Sequence, residues 1–126
     1  MARKPRHADA RRAKLVELCE SLPDVSVAPV GRQHLAFRVR KKIFAYYLDD
    51  HHGDGRIALW CKGAPGEQGR LLEEDGQRFF VPPYVGPRGW IGMRLDLPTV
   101  NWSQVAYLVR AAYRLTAPPA LAARLK

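Results

Sequence analysis

Five cations, Arg32, Arg38, Arg40, Lys41 and Lys42, fall close together, and no carboxylate interrupts the chain between Asp24 and Asp49. Cations grouped on a rigid surface without acids suit phosphate contacts, because each contact releases a condensed counterion and several must act together. Phe44, Tyr46 and Tyr47 follow at once, and exposed rings beside cations stack nucleobases. The same residues fit an alternative in which the rings are core and the cations a solvated edge that discourages pairing with another sheet. Arg88 stands between Gly86 and Gly89, on a turn from which it reaches a groove or meets only solvent.

Other chemistries have less support. Asp49, Asp50, His51, His52 and Asp54 are neighbours in sequence, but adjacent residues of an extended chain point to opposite sides, so convergence on a metal is awkward and a hairpin loop is expected. Glu73, Glu74 and Asp75 end a short polar helix where nothing would shift their pKa. Cys19 and Cys61 lack the spacing of a zinc site and are expected as buried thiols. There is no Gly-rich phosphate loop, nucleophile elbow or Ser-His-Asp candidate. We therefore expect no enzymatic activity, no metal and no cofactor. Trp60, Trp90 and Trp102 fit core anchors better than a ligand cage.

The totals agree with an anionic partner. The 126 residues carry a formal charge of +9 and a pI of about 10.1, and a surface this basic favours phosphate-rich or acidic partners. No acid follows Leu97, so the charge is segregated along the chain. Arg3, Lys4 and Arg6 around Pro5 make residues 1–8 a basic, disordered arm. Residues 9–126 are expected to form a single domain. No apolar run approaches the length of a membrane span and no signal-peptide pattern opens the chain, so a soluble, cytoplasmic protein without membrane contacts is expected.

The elements that must hold these residues follow from periodicity. Asp9 is a candidate N-cap for a helix to about Ser21, with Leu15, Leu18, Cys19 and Leu22 as its apolar stripe and Arg11, Arg12 and Lys14 pointing away. Val25 to Val30 reads as a strand. Leu35, Phe37 and Val39 alternate with Ala36, Arg38 and Arg40 as a second, half-wet strand. Ile43 to Leu48 is apolar on both sides and predicts a central strand, joined to Arg56–Lys62 as a hairpin. Glu67 to Asp75 predicts a short helix. Phe79 to Leu95 then supplies one or two strands interrupted by Pro82-Pro83, with Trp90, Gly92 and Arg94 on one side and Ile91, Met93 and Leu95 on the other. Asn101 with Gln104 resembles a capping box and opens the clearest helix, whose stripe runs from Trp102 through Val105, Ala106, Val109, Ala112 and Tyr113 to Thr116. Pro118-Pro119 breaks it before a small terminal helix.

Phe37-Arg38-Val39 with Lys42-Ile43-Phe44-Ala45, Phe79-Phe80 with Tyr84-Val85-Gly86, Gly89-Trp90 with Met93-Arg94-Leu95, and Ala111 to Leu115 with Ala117-Pro118 and Leu121 together resemble the MmcQ/YjbR family. The resemblance covers about residue 11 to the end. It implies an α+β, two-layer sandwich of an antiparallel β-sheet flanked by helices, of the secretion-chaperone-like type. Family members carry a DNA-binding label because their sheet and hairpins resemble the double-wing motif of a phage transcription activator. The chain departs from the pattern in two places: Lys41 stands where a glycine is common, and Pro119-Ala120 stands where a basic pair often follows.

The reading that follows is a nucleic-acid-binding protein, with DNA favoured, that contacts phosphates through Arg32, Arg38, Arg40, Lys41, Lys42 and Arg88. The alternative is a non-enzymatic module for protein or peptide partners, using an apolar groove or a sheet edge.

Overall fold

In the computed structural model, which describes residues 6–125, one sheet separates two apolar clusters of unequal size. The chain order is α1 (Arg6–Glu20), β1 (Val25–Val30), β2 (His34–Val39), β3 (Lys42–Asp49), β4 (Ile57–Cys61), α2 (Glu67–Glu74), β5 (Phe79–Phe80), β6 (Ile91–Arg94), α3 (Trp102–Thr116) and α4 (Pro119–Ala122). The strands pair antiparallel in the order β1-β2-β3-β4-β6-β5. β3 and β4 are central, as their two-sided apolar runs require. The fold is α+β in two layers, as expected.

Helices α1 and α3 cover one face. Leu15 and Cys19 from α1, Leu22 just after it, and Val105, Leu108, Val109, Ala112 and Tyr113 from α3 pack with Phe37, Val39, Leu59, Ile91 and Met93 from the strands and Leu95 just after β6. Asn101 caps α3, its side-chain oxygen accepting from the Gln104 N–H at 3.1 Å. Cys19 and Cys61 are free and buried in this cluster. Burial holds both thiols in the neutral form, with Cys61 pushed up to about 12.

Register slips once. Phe37 faces Ala45 while Arg38 faces Ile43, which leaves Phe44 as an unopposed bulge. Phe44 and Ala45 therefore both enter the helix-side core, while Ile43, Tyr46 and Leu48 take the opposite face.

The second face carries Leu48, Ala58, Trp60, Val85 and Trp90, with Ile43, Tyr46 and Phe80 packed against them. The loop between β5 and β6 contributes Val85 and Trp90 and lies over this face. Gly92 has no side chain because the Phe80 ring occupies the space, and a Cβ there would stand 2.5 Å from Phe80 Cε2. The Arg56 guanidinium lies over that ring, 4.1 Å from its centroid.

Three local expectations change. α1 begins by Arg6, so Asp9 lies in its first turn, where it favours the helix dipole without capping. Ala8, Ala10 and Ala13 are strong helix formers and carry the helix back past Asp9. Of the proposed basic arm, residues 1–5 lie outside the described residues and 6–8 belong to α1. Arg11 does not point away: its guanidinium donates to the carbonyls of Leu95 at 2.7 Å, Leu97 at 2.6 Å and Pro98 at 3.1 Å, where the chain leaves the sheet. Phe44 and Tyr47 cannot stack bases, because both are buried on the helix side of the sheet.

Candidate nucleic-acid interface

The tip of the β2–β3 hairpin, the end of β4 and the β5–β6 loop converge on one groove of about 490 Å³, lined by Arg38, Lys41, Lys42, Lys62 and Arg88 around Tyr46, Val85 and Trp90. Five cations thus face one space, and among the described residues no carboxylate lines it. Nor does any of the five form an ion pair with a carboxylate among the described residues. With no carboxylate among the described residues to offset their mutual repulsion, the groove favours an anion.

Each cation has a distinct support. Arg38 sits in β2 opposite Ile43 and is half-buried. Arg40 has φ 58, and Lys41 completes the tight connection to β3. Lys62 continues β4 and donates its N–H to the Phe44 carbonyl at 3.1 Å. Arg88 ends a 3-10 turn, Gly86–Arg88. That turn is fixed from α2: Gln68 Nε2 donates to the Gly86 carbonyl at 3.0 Å and to the Trp90 carbonyl at 2.7 Å, on either side of Arg88.

Two expected members stand apart. Arg32 lies in the β1–β2 turn, at the opposite end of β2 and roughly 20 Å from the tip by strand rise. Arg40 is paired with Asp24 at 3.0 Å. With Lys41 and Lys42 it borders a second, larger cavity of about 800 Å³, floored by Val39, Thr116, Ala117, Pro118 and Pro119. Lys62 is the member that sequence reasoning missed. What brings it there is the β3–β4 register, which continues from Ala45↔Cys61 one step to Phe44 and Lys62.

The histidine segment is the expected hairpin loop, with a 3-10 turn at His51–Gly53. Its rings gather with His34: His51 lies 5.5 Å from His34, 4.2 Å from His52 and 4.9 Å from Trp60 by ring centroid. Among the described residues no three His, Cys, Asp or Glu side chains are placed to hold a metal ion.

His34 Nδ1 accepts the Asp49 N–H at 3.1 Å. Burial holds the His34 imidazole below its ordinary value of 6.5, against the opposing pull of Asp49 and Asp54. His51 is lowered by burial and then by His52 and His34. A base whose folded pKa is depressed binds fewer protons folded than unfolded, so its contribution is complete above 6.5 and is lost as pH falls below it. Thermal melts from pH 7.5 to 5 are expected to show a falling Tm, with a shallower slope in His34→Gln. Equal slopes in the two proteins would remove His34 from that account.

The YjbR family model matches residues 20–115. Among solved structures, the fold is similar to the crystal structure of Deinococcus radiodurans protein DR2400, a DUF419 domain, with a TM-score of 0.68 and 23% sequence identity, covering 82% of this chain and 76% of that chain. Among curated proteins none matches. Among the described residues no helix is long and apolar enough to cross a membrane.

Proposed function

We propose that this chain, which belongs to the YjbR family, binds nucleic acid through its phosphates, with Arg38, Lys41, Lys42, Lys62 and Arg88 as the contact set. The observation that carries this is the meeting of five cations from three separate chain segments in one groove that no acid lines among the described residues. The strands and the tethered turn hold the backbone that carries these cations, so binding has to order only their side chains and no loop. Backbone contacts of this kind give affinity and register without reading bases. No reacting group is required of the site, and we assign it no catalysis.

The test is fluorescence anisotropy of labelled duplex DNA, single-stranded DNA and RNA at about 50 and 200 mM salt. Five phosphate contacts on a duplex predict a loss of affinity of roughly 500-fold across that range, and somewhat less on a single strand. An affinity independent of salt, or no binding at micromolar protein in the lower salt, would sink the proposal. A protein-partner reading has one observation in its favour, the 800 Å³ cavity with its proline-rich apolar floor. Salt-insensitive capture of a peptide there would support it.

A further inference from the structure

From the groove a file of packed rings leads to the surface at Tyr84. Trp90 and Tyr46, which line the groove, lie 5.9 Å apart by centroid, Tyr46 is 6.2 Å from Trp60, and Trp60 is 4.9 Å from His51. The file ends at Tyr84, whose ring is 6.2 Å from both His51 and His52 and whose hydroxyl is 3.4 Å from His52 Nε2. Tyr84 immediately precedes Val85 of the groove, yet it is 74% exposed, the most exposed of the large apolar side chains.

The backbone presents it deliberately. Tyr84 is held at φ 67, and His52 opposite it at φ 52. Non-glycine residues adopt this left-handed setting only at an energetic cost, and such settings persist where the surroundings enforce them. Here the enforcing contacts are at hand: the Val85 N–H donates to the Pro83 carbonyl at 2.7 Å and the Gly86 N–H to the Pro82 carbonyl at 3.0 Å. Trp60 and Trp90 are themselves buried, so the faces open to a ligand are those of exposed Tyr84 and His52 and half-buried His51 and Tyr46.

We infer that Tyr84, with His51 and His52, is a nucleobase-stacking platform, and that the ligand of the groove is therefore a single strand. The inference rests on the phosphate-binding proposal. A duplex keeps its bases stacked on one another and has no free face for Tyr84. A single strand whose phosphates lie along Lys41, Lys42, Lys62 and Arg88 has bases free to turn onto the rings. Phe44 and Tyr47, which the sequence offered for stacking, are buried; Tyr84 takes that role from the loop.

The experiment compares three labelled probes of equal length: a single-stranded DNA, its duplex, and an abasic strand that keeps the phosphates and sugars but has no bases. The wild-type protein is expected to bind the single strand about 5- to 150-fold more tightly than the abasic strand, the range of one stacked base. Tyr84→Ala is expected to bring the single strand close to the abasic value, and Tyr84→Trp to preserve the difference. If all three probes bind alike with steep salt dependence, and Tyr84→Ala changes none of them, the platform is refuted while phosphate binding stands. If no probe binds even in low salt, the phosphate proposal falls and the platform with it.

Discussion

Replacing Lys41, Lys42 and Arg88 together by glutamate is expected to lower nucleic-acid affinity about 500-fold or more at 0.1 M salt. It should also reduce the slope of log K against log salt by about three. All three side chains are exposed, so their reversal leaves the core untouched and the loss is one of charge at the groove. Arg38 and Lys62 are left in place because both are half-buried, and their reversal would confuse binding with folding. The informative control is Arg32→Glu, which lies at the far end of β2. Roughly 20 Å is about two Debye lengths at this salt, so its effect is expected to stay within about threefold. Should Arg32→Glu reduce affinity as much per charge as the triple variant does, binding would follow net charge alone and the groove would have no special standing. Titration by anisotropy at four salt concentrations distinguishes these outcomes.

Tyr113→Ala is expected to destabilise the protein by about 3–5 kcal/mol, the cost of deleting a fully buried aromatic. Tyr113 is wholly buried in α3, meets the Phe44 ring edge-on at 5.7 Å, and donates its hydroxyl to the Pro23 carbonyl at 2.6 Å. One side chain thus ties α3 to both the bulge in β3 and the turn between α1 and β1. Tyr113→Phe removes only the hydroxyl and leaves the Pro23 carbonyl without that donor, at a cost of about 1–2 kcal/mol. Urea denaturation measures both. If the phenylalanine variant proves as damaging as the alanine variant, the hydrogen bond and not the packing dominates the position.

Much of this arrangement was legible in the sequence. The alternation of Leu35, Phe37 and Val39 placed β2, the two-sided apolar run at Ile43 to Leu48 placed β3 in the sheet centre, and Asn101 with Gln104 located the start of α3. These are properties of neighbours in the chain, where period and capping act. Arg38, Lys41, Lys42 and Arg88 were singled out from local composition and grouped with Arg32 and Arg40, but which of them share one groove depends on how a loop forty residues downstream crosses the sheet. Lys62 was overlooked for the opposite reason: a lone lysine after an apolar strand carries no composition signal, and only the hairpin register brings it across. Arg11 was misread as a surface cation because its partners are backbone carbonyls, which no side-chain pattern announces. Arg40 looked equivalent to Arg38, since alternation fixes a face but says nothing of an acid such as Asp24 across the hairpin.

The bulge at Phe44 makes the length of one segment matter more than its composition. On β3 the outer face is held by odd-numbered Ile43 before the bulge and by even-numbered Tyr46 and Leu48 after it, so the strand is read in two frames that meet at a single residue. Substitutions near that junction alter one contact each, whereas gain or loss of one residue there would exchange the outer and inner sets for everything on one side of it. The groove's floor would be turned into the core, and the core's residues would be turned out. The stretch from Arg38 to Ala45 is therefore one in which insertions and deletions should be tolerated poorly, even though its tip, Arg40 to Lys42, is an exposed turn.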